Sequence, residues 1–253
     1  MIDFAPSPLN EKYFAGQISL DGVGTEGQQK LFGSTVVLLG LSLVGIHVVR
    51  GLLSAGVGKI HIIDNSLVKE RDIGTNPIFS INDIGKLKCI VLKEKSTASW
   101  STHRVELHSI KLTKENIDYV LPKKFDFAIS TGYDPLEVKT FYDTADDLGF
   151  CIAGGAAVGW TCSFGIYTGN DELYKQRTQI FLDDPQQARQ EACMSGAALT
   201  AGGMITSIAL SVLLGNIPTQ SARFEMSMKD FTTVPLYEGV NPFADELFKK
   251  PDE

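Results

Sequence analysis

Hydrophobic and polar positions fall into blocks along the first quarter of the chain, and the blocks follow two different periods. Ser34-Thr35-Val36-Val37-Leu38-Leu39 is a β-branched run without polar alternation. That pattern predicts a strand covered on both faces, since neither side-chain direction meets water. Gly40-Leu41-Ser42-Leu43-Val44-Gly45 follows as a tight turn. Val44, Val48, Val49, Leu52 and Leu53 then recur at helical spacing until Gly56 and Gly58 stop the helix. Lys59-Ile60-His61-Ile62-Ile63-Asp64 is a second buried strand ending on an acid. Strand, glycine turn, helix and strand make a βαβ unit, whose crossover forces parallel, right-handed pairing.

Further blocks extend this scheme. They predict a helix over Gly85–Ala98, strands over Arg104–His108 and Phe125–Ser130, and a helix over Pro135–Leu148 with proline at its start. Strands follow at Phe150–Ala153 and Thr161–Tyr167, then a polar loop or short crossover over Gly169–Gln190. Arg223–Met228 reads as the last strand. Ala192–Leu214 carries no charge and is long enough to span a bilayer. Its Ser195, Gly196, Thr200, Gly202, Gly203, Thr206 and Ser207 point instead to a buried core or interface helix, so no membrane is expected. The predicted class is α/β: a Rossmann-like, mainly parallel sheet with helices on both faces and extra C-terminal strands. One domain is expected over residues 1–253, with a helical arm over about 1–33 and a mobile tail over about 240–253.

Composition narrows the function classes. A hydrophobic content of 43% with 21% charged residues excludes wholesale disorder. A net charge of −7 argues against a nucleic-acid partner, which needs clustered Lys and Arg. Cys89, Cys151, Cys162 and Cys193 stand far apart without a Cys-x-x-Cys, so neither a zinc site nor a disulfide framework is expected. With no signal-peptide pattern at Met1–Pro6, the expected compartment is cytoplasmic.

The glycine turn carries the strongest local chemistry. Gly40 permits a sharp turn after the strand, Gly45 permits close helix–sheet packing, and the helix N–H groups face an anion. Asp64 lies roughly twenty residues on, where a carboxylate meets a ribose hydroxyl. Ser42 stands in place of the middle glycine. The turn alone does not separate ATP from NAD.

Several segments in series do. Tyr13–Leu20 with Gly24–Leu31, Ser54–Ile60 with Ile63-Asp64, Asp83-Ile84-Gly85-Lys86-Leu87-Lys88, the turn-like Gly154–Trp160 and the small-residue helix Cys193–Gly215 resemble the ThiF/MoeB/HesA type of the ubiquitin-activating-enzyme superfamily. The resemblance runs over roughly residues 12–228. It implies a homodimer, or a heterodimer with another activating-enzyme-type subunit. It also implies ATP with magnesium, and a peptide or ubiquitin-like protein whose C-terminal carboxylate becomes an acyl-adenylate. In that setting Gly40, Ser42, Gly45, Asp64 and Lys88 would hold the nucleotide.

The family's charges are not all in place. Its trans-acting arginine falls at Gly16, a second arginine at Thr75 beside Asn76, the second acid after the second strand at Ser66, and the magnesium aspartate at Tyr133. Lys88 and Asp64 are retained. Arg71–Phe79 resembles the inactive half of heterodimeric activating enzymes. An arginine acting on a transferring phosphate is worth about 10³–10⁵ in rate. The first reading is therefore a non-catalytic or weakly active homologue, a scaffold half or a binding partner for a peptide or ubiquitin-like protein. The alternative is an active adenylyltransferase using Lys86, Lys88, Arg71 and Asp134, with Asp134 as the magnesium ligand. An NAD-linked oxidoreductase is a third. Cys162 and Cys193 are candidate nucleophiles, set against their reading as buried small hydrophobes. His61 reads as a satisfied core residue, His47 as helix surface or interface, and His103 and His108 flank a strand without metal-ligand spacing.

Overall fold

The computed structural model describes residues 12–76, 78–96, 105–183 and 193–235. The expected tail and His103 lie outside them. A sheet of eight strands has the order β3-β2-β1-β4-β5-β6-β7-β8. Strands β1 (Thr35–Leu39), β2 (Lys59–Ile63), β3 (Val105–His108), β4 (Phe127–Ser130) and β5 (Ile152–Val158) run parallel. Strands β6 (Thr161–Tyr167), β7 (Ala222–Ser227) and β8 (Thr233–Pro235) extend the sheet antiparallel. The helices are α1 (Ala15–Ile18), α2 (Gly24–Gly33), α3 (Leu43–Ala55), α4 (Glu70–Thr75), α5 (Lys88–Ser96), α6 (Ile117–Val120), α7 (Pro135–Leu148), α8 (Glu172–Asp183) and α9 (Ser195–Leu214). This is the expected Rossmann-like fold.

Alternation along β1 shows why its sequence has no polar face. Val36 and Leu38 join the core beneath α3 and α9, whereas Val37 and Leu39 join the core beneath α6 and α7. Among the described residues α9 is the helix long and apolar enough to cross a membrane by length and composition. Here Ala197, Ala198, Ala201 and Ile205 are buried, with α9 against α3, β5 and β6. Its small residues permit the approach: a Cβ on Gly202 would meet His47 Cβ at 2.6 Å. His47 is accordingly half-buried between the two helices.

Several boundaries differ from expectation. Residues Gly169–Gln190, read as a loop, contain α8. That helix is fixed by Tyr174, buried against Tyr142 and Tyr167 and lying 5.9 Å from the Arg223 guanidinium. The Gly154–Trp160 turn is mostly strand, and β5 runs to Val158. Gly155 is needed there because a Cβ would stand 2.1 Å from the Ser163 carbonyl. The helix expected from Gly85 begins at Lys88, after a 3-10 turn at Ile81–Asp83 and a left-handed Gly85. Strand β8 follows the segment read as the last strand.

Candidate functional site

Strand order reverses between β1 and β4, and ligands of open α/β sheets bind beyond the strand ends at such a point. The chain is very tight here. Gly40 has φ +88°, and a Cβ on it would stand 2.4 Å from Gly132 Cα. A Cβ on Gly45 would stand 2.4 Å from both the Gly40 carbonyl and Thr131 Oγ1. The Thr131 hydroxyl donates to that carbonyl at 2.6 Å, tying β4 to the turn.

Ser42 finds its reason in the helix that follows. Its Oγ accepts from Gly45 N–H at 3.1 Å as the N-cap of α3, satisfying a donor that a glycine would leave open. No acidic residue occupies the first turn of α3, so nothing in that turn neutralises the positive end of its dipole.

Asp64 closes one side of the crevice. Its Oδ2 accepts from Leu41 N–H at 2.7 Å, and its Oδ1 accepts from Ser66 N–H at 3.0 Å and Ser66 Oγ at 2.7 Å. Ser66, in the position of a family acid, thus serves as a donor to the acid that remains. The Ser66 carbonyl accepts from Lys88 N–H at 3.0 Å, which brings the start of α5 to the same place. Lys88 Nζ lies 3.0 Å from Asp72 Oδ1 in a buried pair, and Asp72 Oδ2 also accepts from Lys69 N–H. Lys86 pairs with Asp83 at 3.3 Å, half in water.

Tyr133 sits among these groups. Burial and the neighbouring Cys193 push its pKa up to about 12, against the pull of Ser42, the Ala157 backbone and the Arg71 charge. A neutral phenol, bonded to Ser42 and within the field of half-buried Arg71, therefore stands where the family resemblance puts a metal-binding acid.

Asp134 does not take over from it freely. Its Oδ1 accepts from Leu136 and Glu137 N–H as the N-cap of α7, and its Oδ2 accepts from Lys111 Nζ at 2.6 Å. Both oxygens are engaged in this structure, so a magnesium ion at Asp134 would have to displace Lys111 from Oδ2. Sequence reading passed over Glu137. It accepts from Leu112 N–H at 2.7 Å, and its carboxyl is raised by burial and by the charges of Asp134 and Asp64. Only the fold brings these acids to one side, because α7 starts where β4 ends.

The two candidate cysteines lie in apolar surroundings. Cys162 is buried within β6 and burial raises its thiol. Cys193 donates to the Met194 carbonyl at 3.2 Å, and burial pushes it up to about 11. Both shifts favour the thiol over the thiolate, as expected of buried small hydrophobes and opposite to the shift that activates a nucleophile. Beside the crevice a cavity of about 570 Å³ opens between α7 and α8, starting at Pro135 and Leu136 and rimmed by Lys139, Asp143, Glu172 and Lys175.

The sequence profile of the ThiF family matches residues 14–238. The chain belongs to the ThiF family. This ThiF-family chain is 25% identical over 207 residues to the sulfur carrier protein adenylyltransferase of Thermus thermophilus, covering 79% of the chain and 76% of that protein. It is also 25% identical over 197 residues to the adenylyltransferase and sulfurtransferase UBA4 of Eremothecium gossypii. There the match covers 76% of the chain but only 44% of the relative. Among solved structures, PaaA superposes with a TM-score of 0.74 at 18% identity, covering 93% of this chain and 85% of that one. Escherichia coli MccB with ATP gives 0.70 at 17% identity, covering 90% and 75%. At those identities the structural matches establish the shared fold.

Proposed function

We propose that this chain binds ATP at the β1–β4 crevice and joins AMP to the C-terminal carboxylate of a peptide or small carrier protein. The observation that carries this reading is the glycine turn. At Gly40 and Gly45 no side chain fits, and the N-terminus of α3 faces the crevice with Asp64 braced beside it. Such a turn admits phosphate oxygens to backbone N–H groups. Asp64 would take the ribose hydroxyls, while Lys88 and Arg71 would offset charge at the α-phosphorus as the carboxylate attacks and pyrophosphate leaves.

Magnesium would arrive with the phosphates, which supply most of its ligands. The acids on the rim suit that role better than a dedicated cage. Asp64, Asp134 and Glu137 do not close to ligand spacing, whereas one carboxylate can complete a phosphate-bound ion. The α7–α8 cavity would receive residues preceding the carboxylate. Names of adenylyltransferase relatives support the reading, as does MccB crystallised with ATP and with MccA. A homodimer or a heterodimer with another family member, working in the cytoplasm, completes the proposal.

One observation favours a second reading, a scaffold half that binds nucleotide or peptide without adenylation. Tyr133 stands where a metal-binding acid is expected, and Asp134 is held by Lys111. Calorimetric titration with ATP, with and without magnesium, followed by ATP–pyrophosphate exchange with candidate peptides, separates the two. Peptide-dependent exchange supports the enzyme. Binding without exchange supports the scaffold, and absence of nucleotide binding overturns the enzyme and leaves the scaffold as a binder of peptide alone.

A further inference from the structure

The face of the sheet opposite α3 holds a second polar cluster, at the β2–β3 edge. The parallel register pairs His61 with Glu106 and Ile63 with His108. Because side chains alternate, Lys59 and His61 on β2 and Glu106 and His108 on β3 share one face. Ile60, Ile62, Val105 and Leu107 pack on the other. His61 is buried, while Glu106 and His108 on the edge strand are partly open to water.

Three ligand atoms converge there. His61 Nδ1 lies 3.1 Å from His108 Nε2 and 3.3 Å from Glu106 Oε2, and all three lie within 4.8 Å of one another. Two ligands at about 2.1 Å from one tetrahedral ion stand roughly 3.4 Å apart, close to these separations. Lys59 Nζ holds the other oxygen, Glu106 Oε1, which turns Oε2 inward as an outer partner of a metal ligand does. Burial lowers the basicity of both imidazoles, outweighing the opposing Glu106 charge, so their lone pairs are available at neutral pH. His61 Nε2 is buried without a hydrogen-bond partner whether a proton or an ion sits at Nδ1, so it favours neither.

We propose that His61 Nδ1, Glu106 Oε2 and His108 Nε2 bind a divalent ion of the zinc class, with a fourth position open on the exposed side. Two imidazoles and one carboxylate suit zinc, whereas magnesium and calcium prefer an all-oxygen shell. The site departs from the expectation of no zinc, which rested on cysteine spacing. The ion would clamp β2 to the edge strand beside the crevice, since the His108 carbonyl accepts from Asp64 N–H at 3.1 Å. This inference does not depend on the chain adenylating anything.

The test uses the full chain, stripped with chelator and titrated with Zn²⁺ by calorimetry and with Co²⁺ by visible absorption. The proposal expects one ion per chain and a Co²⁺ spectrum of a nitrogen- and oxygen-ligated site. His108→Ala and Glu106→Gln should each weaken binding by at least about tenfold while circular dichroism stays native. Either variant retaining full affinity would overturn the assignment. So would a sulfur-to-cobalt charge-transfer band, which would place the ion on the cysteines, or no binding to the unsubstituted chain at micromolar Zn²⁺.

Discussion

Two lysine–aspartate pairs brace the surroundings of the crevice, and they differ chiefly in their access to water. Lys88 and Asp72 lie 3.0 Å apart with side chains 12% and 4% exposed. Lys111 and Asp134 lie closer, at 2.6 Å, with side chains 49% and 34% exposed. Distance alone would rank the second pair stronger. Solvent reverses that order, because water and salt screen an exposed pair while a buried one keeps its field. The buried pair consequently contributes more to stability, and the exposed pair less.

The largest expected effect comes from breaking the buried pair. Lys88→Ala should cost roughly 3–5 kcal/mol in urea denaturation, because the Asp72 carboxylate loses a cation where water cannot replace it. Neutralising the carboxylate too, in the Lys88→Ala/Asp72→Asn double variant, should recover part of that loss. No recovery would mean that Lys88 acts through packing instead of charge.

The floor between the two pairs comes next. Gly45→Ala places a methyl 2.4 Å from the Gly40 carbonyl and Thr131 Oγ1, and should cost on the order of 3 kcal/mol. It should abolish nucleotide binding in the calorimetric titration even where the chain stays folded, since the turn must open to admit the methyl.

Lys111→Met sharpens the contrast from the other side. It should lower the denaturation midpoint at neutral pH only slightly, and weaken a pH dependence. Burial raises the Asp134 carboxyl, yet the bond from Lys111 and the N–H groups of Glu137 and Leu136 outweigh it and hold its pKa below the usual range. The folded chain thus binds that proton less readily than the unfolded chain. The resulting stability is full above the ordinary aspartate pKa and is lost as pH falls through the lowered folded value. Denaturation midpoints measured from neutral to acid pH should show this loss shrinking in Lys111→Met. Raising salt at neutral pH should likewise affect the Lys111 pair more than the Lys88 pair.

Tyr133→Phe should have the smallest effect on stability, about 1 kcal/mol or less, for loss of one hydroxyl. Its value lies in nucleotide affinity. Unchanged ATP binding would show that the phenol fills space, whereas tighter binding would show that the hydroxyl competes with the nucleotide for Ser42.

The amino-acid sequence by itself determined the parts whose cause is local. The double-faced β1, the Gly40–Gly45 turn, α3, β2 and its terminal Asp64 are set by runs, periods and glycine positions within some thirty residues. The proline start of α7 is equally legible, so the site's floor was readable before the fold. Tertiary structure decided what depends on distant chain segments. Helix α8 has little apolar period and forms where Tyr174 meets Tyr142, Tyr167 and Arg223. Strand β5 passes through Gly154 and Gly155, read as a turn, because side chains there would meet Ser130 of β4 and the Tyr142 hydroxyl on one side and Ser163 of β6 on the other. Glu137 joins the rim because α7 begins beside Asp64. His61 meets Glu106 and His108 through the β2–β3 register, across more than forty residues of chain. Strand pairing is fixed by burial of whole faces, so local sequence gives each side chain's direction but not the neighbour it will meet.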